Sequence, residues 1–216
     1  MKDAEEFTPT IPRKRPFKKV FQFKITLLGI KPPIWRRIQV PDSYTFYDLH
    51  VAIQDAMGWT DTHLHAYEIP GQPPLRIDAP CDPDELDDAP DAFSTEIKVS
   101  TLLQQESDRA LYDYDFGDGW RHEVLLERIL PIDPGAAYPA CLDGKRACPP
   151  EDCGGPGGYL DCVKAAGGGK PTKKTAELLE WLGDWQPERF DPADIIFEDP
   201  RARFLQGYGE KGIWPL

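Results

Sequence analysis

Residues 131–172 hold seven prolines and nine glycines in 42 positions, a density that opposes long helices and strands. Proline has no amide to donate, and glycine loses the most entropy on being ordered. An irregular stretch of that length inside a domain has to be tied down by something other than its own core. Cys141, Cys148 and Cys153 lie within it, in PACLDGKRACPPEDCGGPGGY, and thiolates around a metal ion would close such a loop. The expectation is a structural zinc site on these three thiols, with His122 as a nonlocal ligand and Cys162 as an alternative. The spacing supports this in part. Six residues separate the first two cysteines and four the last two, whereas paired zinc ligands usually stand two to four apart. The competing reading makes the cysteines small buried hydrophobes.

At 216 residues and 40% hydrophobic content the chain can bury a substantial core, read as a single domain over 20–216 behind a flexible basic tail at 1–19. No run approaches the roughly 20 apolar residues of a membrane span, and the start MKDAEEFTPT lacks a secretory apolar stretch, so a cytoplasmic location is expected. Thiols are kept reduced there, and the odd count of five cysteines agrees. The net charge of −12 repels nucleic acid except where basic residues segregate, in Arg13, Lys14, Arg15, Lys18 and Lys19. That run reads as a solvated tail or as a contact arm for nucleic acid or an acidic partner.

Phe21, Phe23, Ile25 and Leu27 alternate with polar residues, and Ile34, Ile38 and Val40 resume the pattern after LGIKPP, predicting a hairpin over 20–40. Thr45 and Asp48 form a short capping box for a helix whose stripe is Phe46, Leu49, His50, Ile53 and Met57, with Gly58 to end it. His63, His65, Tyr67 and Ile69 are expected on one face of a further strand. Eight acidic and no basic residues between Asp78 and Glu96 predict a solvated loop, followed by a short helix near 100–105. Tyr112, Tyr114 and Phe116 alternate before a Gly117–Gly119 turn, and the return strand runs from Trp120 to Leu130. Helices are expected over 175–182 and from Asp191 and Pro192, the last ended or interrupted by Pro200. The order implies an α+β fold, with a mainly antiparallel or mixed sheet, a helix on one face, a β-grasp-like opening and a C-terminal helical segment.

Two further constellations carry chemistry. His63, His65 and His122 with Asp113, Asp115 or Asp118 would suit a divalent ion and hydrolysis by metal-bound water, although histidine on an apolar strand face usually serves the core. GGPGGY and AAGGGK lack the Walker spacing, and Lys170 is followed by Pro171, so the glycines are conformational.

The segments FQFKITLLGIKPPIWRRIQVPDSYTFYDLHVAIQDAMGWTDTHLHAY, YDYDFGDGWRHEVLLE and PACLDGKRACPPEDCGGPGGY, in that order, resemble the plasmid pRiA-type ORF-three-like family, some of whose members are labelled transposon passenger or TnpR-like. The resemblance spans roughly Val20 to Phe197 and implies a domain assignment without an established activity. A recombinase would need a nucleophilic Ser or Tyr among phosphate-neutralising arginines, and Arg36 and Arg37 on a strand point to opposite faces. The favoured function is a noncatalytic binding or accessory module, linked to mobile elements if the label holds. Aromatic and acidic residues around Tyr112, Tyr114, Asp115, Asp118 and Trp120 would meet a partner with a basic surface. The alternative is a metal-dependent hydrolase or nuclease. Binding is expected among His63, His65, Asp115, Asp118 and Trp120 rather than on the thiols.

Overall fold

The computed structural model describes residues 9–81, 90–168 and 172–209. One sheet is built from β1 (Lys19–Leu27), β2 (Trp35–Pro41), β3 (His65–Ile69), β4 (Leu75–Asp78), β5 (Ala92–Phe93), β6 (Arg109–Tyr114), β7 (Trp120–Pro131) and β8 (Ala140–Lys145). Their order is β5-β4-β3-β6-β7-β1-β2-β8, and only β4 and β5 pair in parallel. The helices are α1 (Phe46–Met57), α2 (Val99–Leu102), α3 (Gly155–Ala166), α4 (Lys173–Leu182) and α5 (Pro200–Tyr208). This is the α+β fold with a mixed sheet that the alternation predicts, and it opens with two strands and a helix. Among the described residues no helix is long and apolar enough to cross a membrane.

The period of two explains the first hairpin. Phe23, Ile25 and Leu27 of β1 and Ile38 and Val40 of β2 are buried together in the main core. Their alternates face outward, where Arg37 grips Glu127 through Nε at 2.6 Å and Nη2 at 3.0 Å. Neighbouring Arg36 points the other way. It is buried, donates to the carbonyls of Ala56, Trp35 and Lys145, and lies 3.8 Å from the Phe190 ring. The two guanidiniums therefore serve opposite faces.

Thr45 and Asp48 close the capping box, with Asp48 N donating to Thr45 Oγ1 at 3.1 Å and Thr45 N to Asp48 Oδ2 at 2.8 Å. Gly58 ends α1 at φ 92°, a left-handed angle that glycine adopts without strain. The helix is buried on nearly all sides. Phe46, Leu49 and Ile53 join the sheet core, while Tyr47 and Val51 pack beneath Phe204 and Tyr208 of α5. Burying five large apolar side chains in this way contributes on the order of 10 kcal/mol before entropy is subtracted.

Regular structure inside 131–172 corrects the expectation of an irregular loop. β8 completes its hydrogen bonds on the edge of β2. α3 starts where Gly154 and Gly155 take φ values of 89° and 66° and Pro156 occupies a first-turn position that needs no amide. A Cβ at Gly158 would collide with the Cys153 carbonyl oxygen, so glycine alone lets this turn close. Tyr159, Cys162 and Ala165 then bury the helix. Tertiary packing has overridden composition here, and residues 169–171 lie outside the described residues.

Two C-terminal expectations are also corrected. Asp191 and Pro192 open only a single 3₁₀ turn, Pro192–Asp194. Pro200 begins α5 rather than ending a helix, because Asp199 caps the amides of Arg201 and Ala202 at 2.8 and 3.1 Å and proline suits the first helical position. Residues 82–89 of the acidic excursion lie outside the described residues, but its flanks are ordered: Ser94 N donates to Asp78 O and Arg76 N to Asp91 Oδ2, each at 2.8 Å. At the N-terminus Pro9 and Pro12 are buried, and Lys18 N donates to Asp42 Oδ1 at 3.0 Å.

Candidate functional site

Three loops meet at the end of the sheet beyond the C-terminus of α1. They are residues 59–64 leading into β3, the 115–119 turn of the β6–β7 hairpin, and 149–155 ahead of α3. Trp59 forms the floor, stacked 5.0 Å from Tyr114 and tilted against Trp120 at 6.1 Å, with its indole nitrogen donating to Pro149 O at 3.0 Å. Glu151 stitches two of the loops together: Oε2 accepts from Thr60 N and Oγ1 at 2.8 and 2.9 Å, and Oε1 accepts the Tyr114 hydroxyl at 3.0 Å. Burial raises the Tyr114 pKa, and Glu151 adds to it, so the phenol stays a donor. Asp118 Oδ2 accepts Gly154 N at 3.0 Å, and a Cβ at Gly155 would meet the Asp118 carbonyl oxygen at 2.7 Å. The hairpin turn and the start of α3 are thus in direct backbone contact.

On this frame His63 Nε2 lies 2.8 Å from Asp152 Oδ1 and 3.6 Å from Asp115 Oδ2. Among the described residues this is the group of three whose possible ligand atoms all fall within 4.8 Å of one another. Asp115 is buried and fixed, since its Oδ1 accepts the amides of Gly117 and Asp118 at 3.0 and 3.2 Å and leaves Oδ2 turned to His63. Asp152 is 67% exposed, which leaves that side of the cluster open to solvent. Both aspartates hold a left-handed backbone, at φ 52° and 55°, that a non-glycine residue seldom adopts. One imidazole and two carboxylates form a donor set for a borderline or hard divalent cation, with coordination positions to spare.

The structure brings together His63 and Asp115 of the sequence-derived site residues and separates the others. His65 lies inside the fold, stacked 3.6 Å from His50 and bonded to Ser94 Oγ at 3.1 Å, because β3 begins at His65 and His63 belongs to the loop before it. Asp118 holds Gly154. Trp120, Tyr112 and Tyr114 are buried, so they do not form the outward aromatic surface; period-two alternation turns them all toward α1, and Phe116, 55% exposed, is the aromatic that faces out. His122 is also buried, with Nδ1 3.3 Å from Tyr112 O.

Cys141, Cys148, Cys153 and His122 do not converge, and no three of them fall within 4.8 Å of one another. Cys141 sits on β8 and Cys148 in the main core, against which Cys141 and Cys153 also pack, and Cys153 further meets Cys162 in a satellite cluster. Cys141 is held by β8 and Cys162 by α3, while Cys148 and Cys153 lie in the connection between them, and this spread kept proximity in sequence from becoming a shared site. Burial pushes the Cys153 thiol up to about 12 and the Cys148 thiol higher still, disfavouring thiolates. Hydrogen bonds clasp the loop instead. Besides those of Glu151 and Asp118, Trp185 Nε1 donates to Cys148 O at 3.0 Å and Arg146 donates to Pro32 O and Glu188 at 2.7 and 2.9 Å. Asp152 and Glu151 escaped the sequence reading because an acidic pair in a Pro/Gly loop has no periodicity to mark it. Their position beside the cysteines, in PPEDCGG, was the available signal.

A mixed eight-stranded sheet that gathers three loops over an aromatic floor defines an α+β protein with one convergent loop site at the sheet end. The chain belongs to the plasmid pRiA4b ORF-3-like family, whose model matches residues 19–194. It is 34% identical over 165 residues to the uncharacterized protein y4hQ of Sinorhizobium fredii, covering 76% of this chain and 81% of that one. Among solved structures it resembles a protein of unknown function, MM3350 from Methanosarcina mazei Go1, at 42% identity and a TM-score of 0.73, covering 84% of this chain and all of the other.

Proposed function

We propose that this protein is a noncatalytic binding module whose ligand face is the junction of loops around His63, Asp115 and Asp152, and that a divalent cation held there sets the shape of that face. The observation that carries the reading is the convergence of one imidazole and two carboxylates from three separate loops, with Asp115 already fixed by two backbone amides. A cation would join the three loops and offset the repulsion between the carboxylates. The net charge of −12 favours a partner with a basic surface over nucleic acid, so any link to mobile elements would run through a protein contact. Exposed Phe116, next to Asp115, supplies an apolar anchor for such a partner.

A second reading, a metal-dependent hydrolase, is favoured by the open side at Asp152, where a metal-bound water would reach solvent. Elemental analysis of protein purified without added metal, followed by equilibrium dialysis against zinc and manganese, tests both. One cation per chain, lost in His63→Ala and in Asp115→Asn with the melting temperature of the metal-free protein retained, is the expected result. No stoichiometric cation in the parent chain would sink the metal-centred reading. Cation-dependent hydrolysis of a phosphodiester model substrate, lost in the same variants, would replace the binding module by the hydrolase.

A further inference from the structure

A cavity of about 500 Å³ opens at the other end of α1, about 18 Å along that 12-residue helix from the His63 cluster. Two segments distant in sequence close over it: the basic run Arg13, Lys14 and Arg15 from one side, and the start of α5 with Arg201 from the other. Phe17 and Tyr138 meet edge to face at 6.0 Å and, with Tyr44 and Phe197, give it aromatic walls.

The charges around this cavity are unevenly engaged. Arg15 is 17% exposed, and its Nη1 is buried with no hydrogen-bond acceptor among the described residues. The carboxylate beside it, Asp48 Oδ2, stands 3.6 Å away and already accepts the Thr45 amide at 2.8 Å. The other acidic residues of the lining are occupied too. Glu198 accepts Arg203 Nε at 2.8 Å, and Asp199 caps α5. Arg13, Lys14 and Arg201 form no ion pair among the described residues. The acids are spent on the fold, whereas among the described residues Arg13, Lys14 and Arg201 have no ion pair and Arg15, paired with Asp48 at 3.6 Å, keeps a nitrogen without a hydrogen bond. A buried guanidinium nitrogen without an acceptor is costly, and a carboxylate or phosphate matches its geometry.

We propose that this cavity binds a small organic anion with an aromatic or apolar body and a carboxylate or phosphate head, the head held by Arg15 and steered by Arg13, Lys14 and Arg201. Its volume lies within the range of small-ligand sites, roughly 300 to 1,000 Å³. A nucleic acid strand would instead meet an open basic face, and here the basic residues roof a concavity. The basic run thereby acquires a role as a lid residue set within the fold, independent of the cation site at the far end of α1.

The test is a fluorescence titration of the full chain with anilinonaphthalene sulfonate, an aromatic anion that brightens in apolar sites. One saturable site is expected, with affinity falling tenfold or more in Arg15→Gln, equivalent to about 1.4 kcal/mol. Arg201→Gln alters an exposed side chain and is expected to weaken binding severalfold at an unchanged melting temperature; it decides the matter if Arg15→Gln does not fold. Displacement by inorganic phosphate assigns a phosphate head, and displacement by benzoate a carboxylate head. Absence of a saturable site, failure of both competitors, or parental affinity in the folded variants overturns the proposal.

Discussion

His122 offers a measurement that isolates one buried group. Its Nδ1 faces the carbonyl of Tyr112 at 3.3 Å, and a carbonyl only accepts, so Nδ1 carries the proton and Nε2 is left as a buried lone pair with no donor among the described residues. Burial drives the pKa down from 6.5 to about 4, against a smaller upward pull from the Tyr112 and Trp120 backbone. The folded pKa thus lies below the unfolded one, and the unfolded chain binds more protons. Stability is therefore unaffected by this residue above about pH 7 and falls as the pH drops through 6.5, levelling off below 4. Linkage puts the loss at about 2 kcal/mol by pH 5 and about 3 kcal/mol by pH 4. His122→Phe keeps an aromatic ring beside Trp59 and Tyr112 and removes both the titration and the orphaned nitrogen. Urea unfolding of parent and variant from pH 7 to pH 4 gives the difference directly, and contributions common to both, including that of buried His65, cancel. The variant is expected to match or exceed the parent at pH 7 and to gain on it by about 1.4 kcal/mol per pH unit at the steepest. A difference that stays flat across this range would refute the placement of a neutral His122 in the core.

Adjacent arginines should respond unequally to the same change. Arg36→Met leaves the carbonyls of Ala56, Trp35 and Lys145 without their donor and is expected to cost roughly 3 kcal/mol or more, whereas Arg37→Met breaks a partly exposed pair with Glu127 at about 1 kcal/mol; denaturant midpoints at equal m-value compare them. Gly158→Ala places a methyl against the Cys153 carbonyl and should destabilise by about 3 kcal/mol, visible as a lowered melting temperature. If a divalent cation binds at His63, adding it at about 100 times its dissociation constant should raise stability by about 2.7 kcal/mol in the parent and not in Asp115→Asn, followed by urea unfolding with and without the cation.

What the sequence disclosed about this fold divides along a physical line. Elements whose side chains repeat with a period were legible: the β1–β2 and β6–β7 hairpins follow from alternation, and α1 from its stripe, its Thr45–Asp48 box and Gly58. Elements made by tertiary contact were hidden. β8 exists because β2 offers an unpaired edge, and α3 because Gly158 lets the chain pass the Cys153 carbonyl, and neither cause is periodic. The same division governs the site. His63 and Asp115 drew attention through residue type and their closeness to the hairpins, while Asp152 needed the three-dimensional return of its loop.

That division also explains why the cysteines misled. Three thiols in thirteen positions look like one site only if the backbone between them folds back on itself. Here β8 carries Cys141 along the sheet edge, the next turn drives Cys148 into the core, and Cys153, in the loop before α3, packs both on that core and beside Cys162 of α3. With the loop clasped by Glu151, Asp118, Trp59 and Trp185, metal at the thiols is unnecessary for holding it. A cation at His63, Asp115 and Asp152 would join loops that are already in register, so its removal should loosen the rim of the sheet while leaving the core intact. Hydrogen exchange can separate the two: chelation is expected to speed exchange at residues 115–119 and 151–155 and to leave β1 and α1 unchanged. Faster exchange throughout β1 and α1 would instead make the cation a determinant of the whole fold.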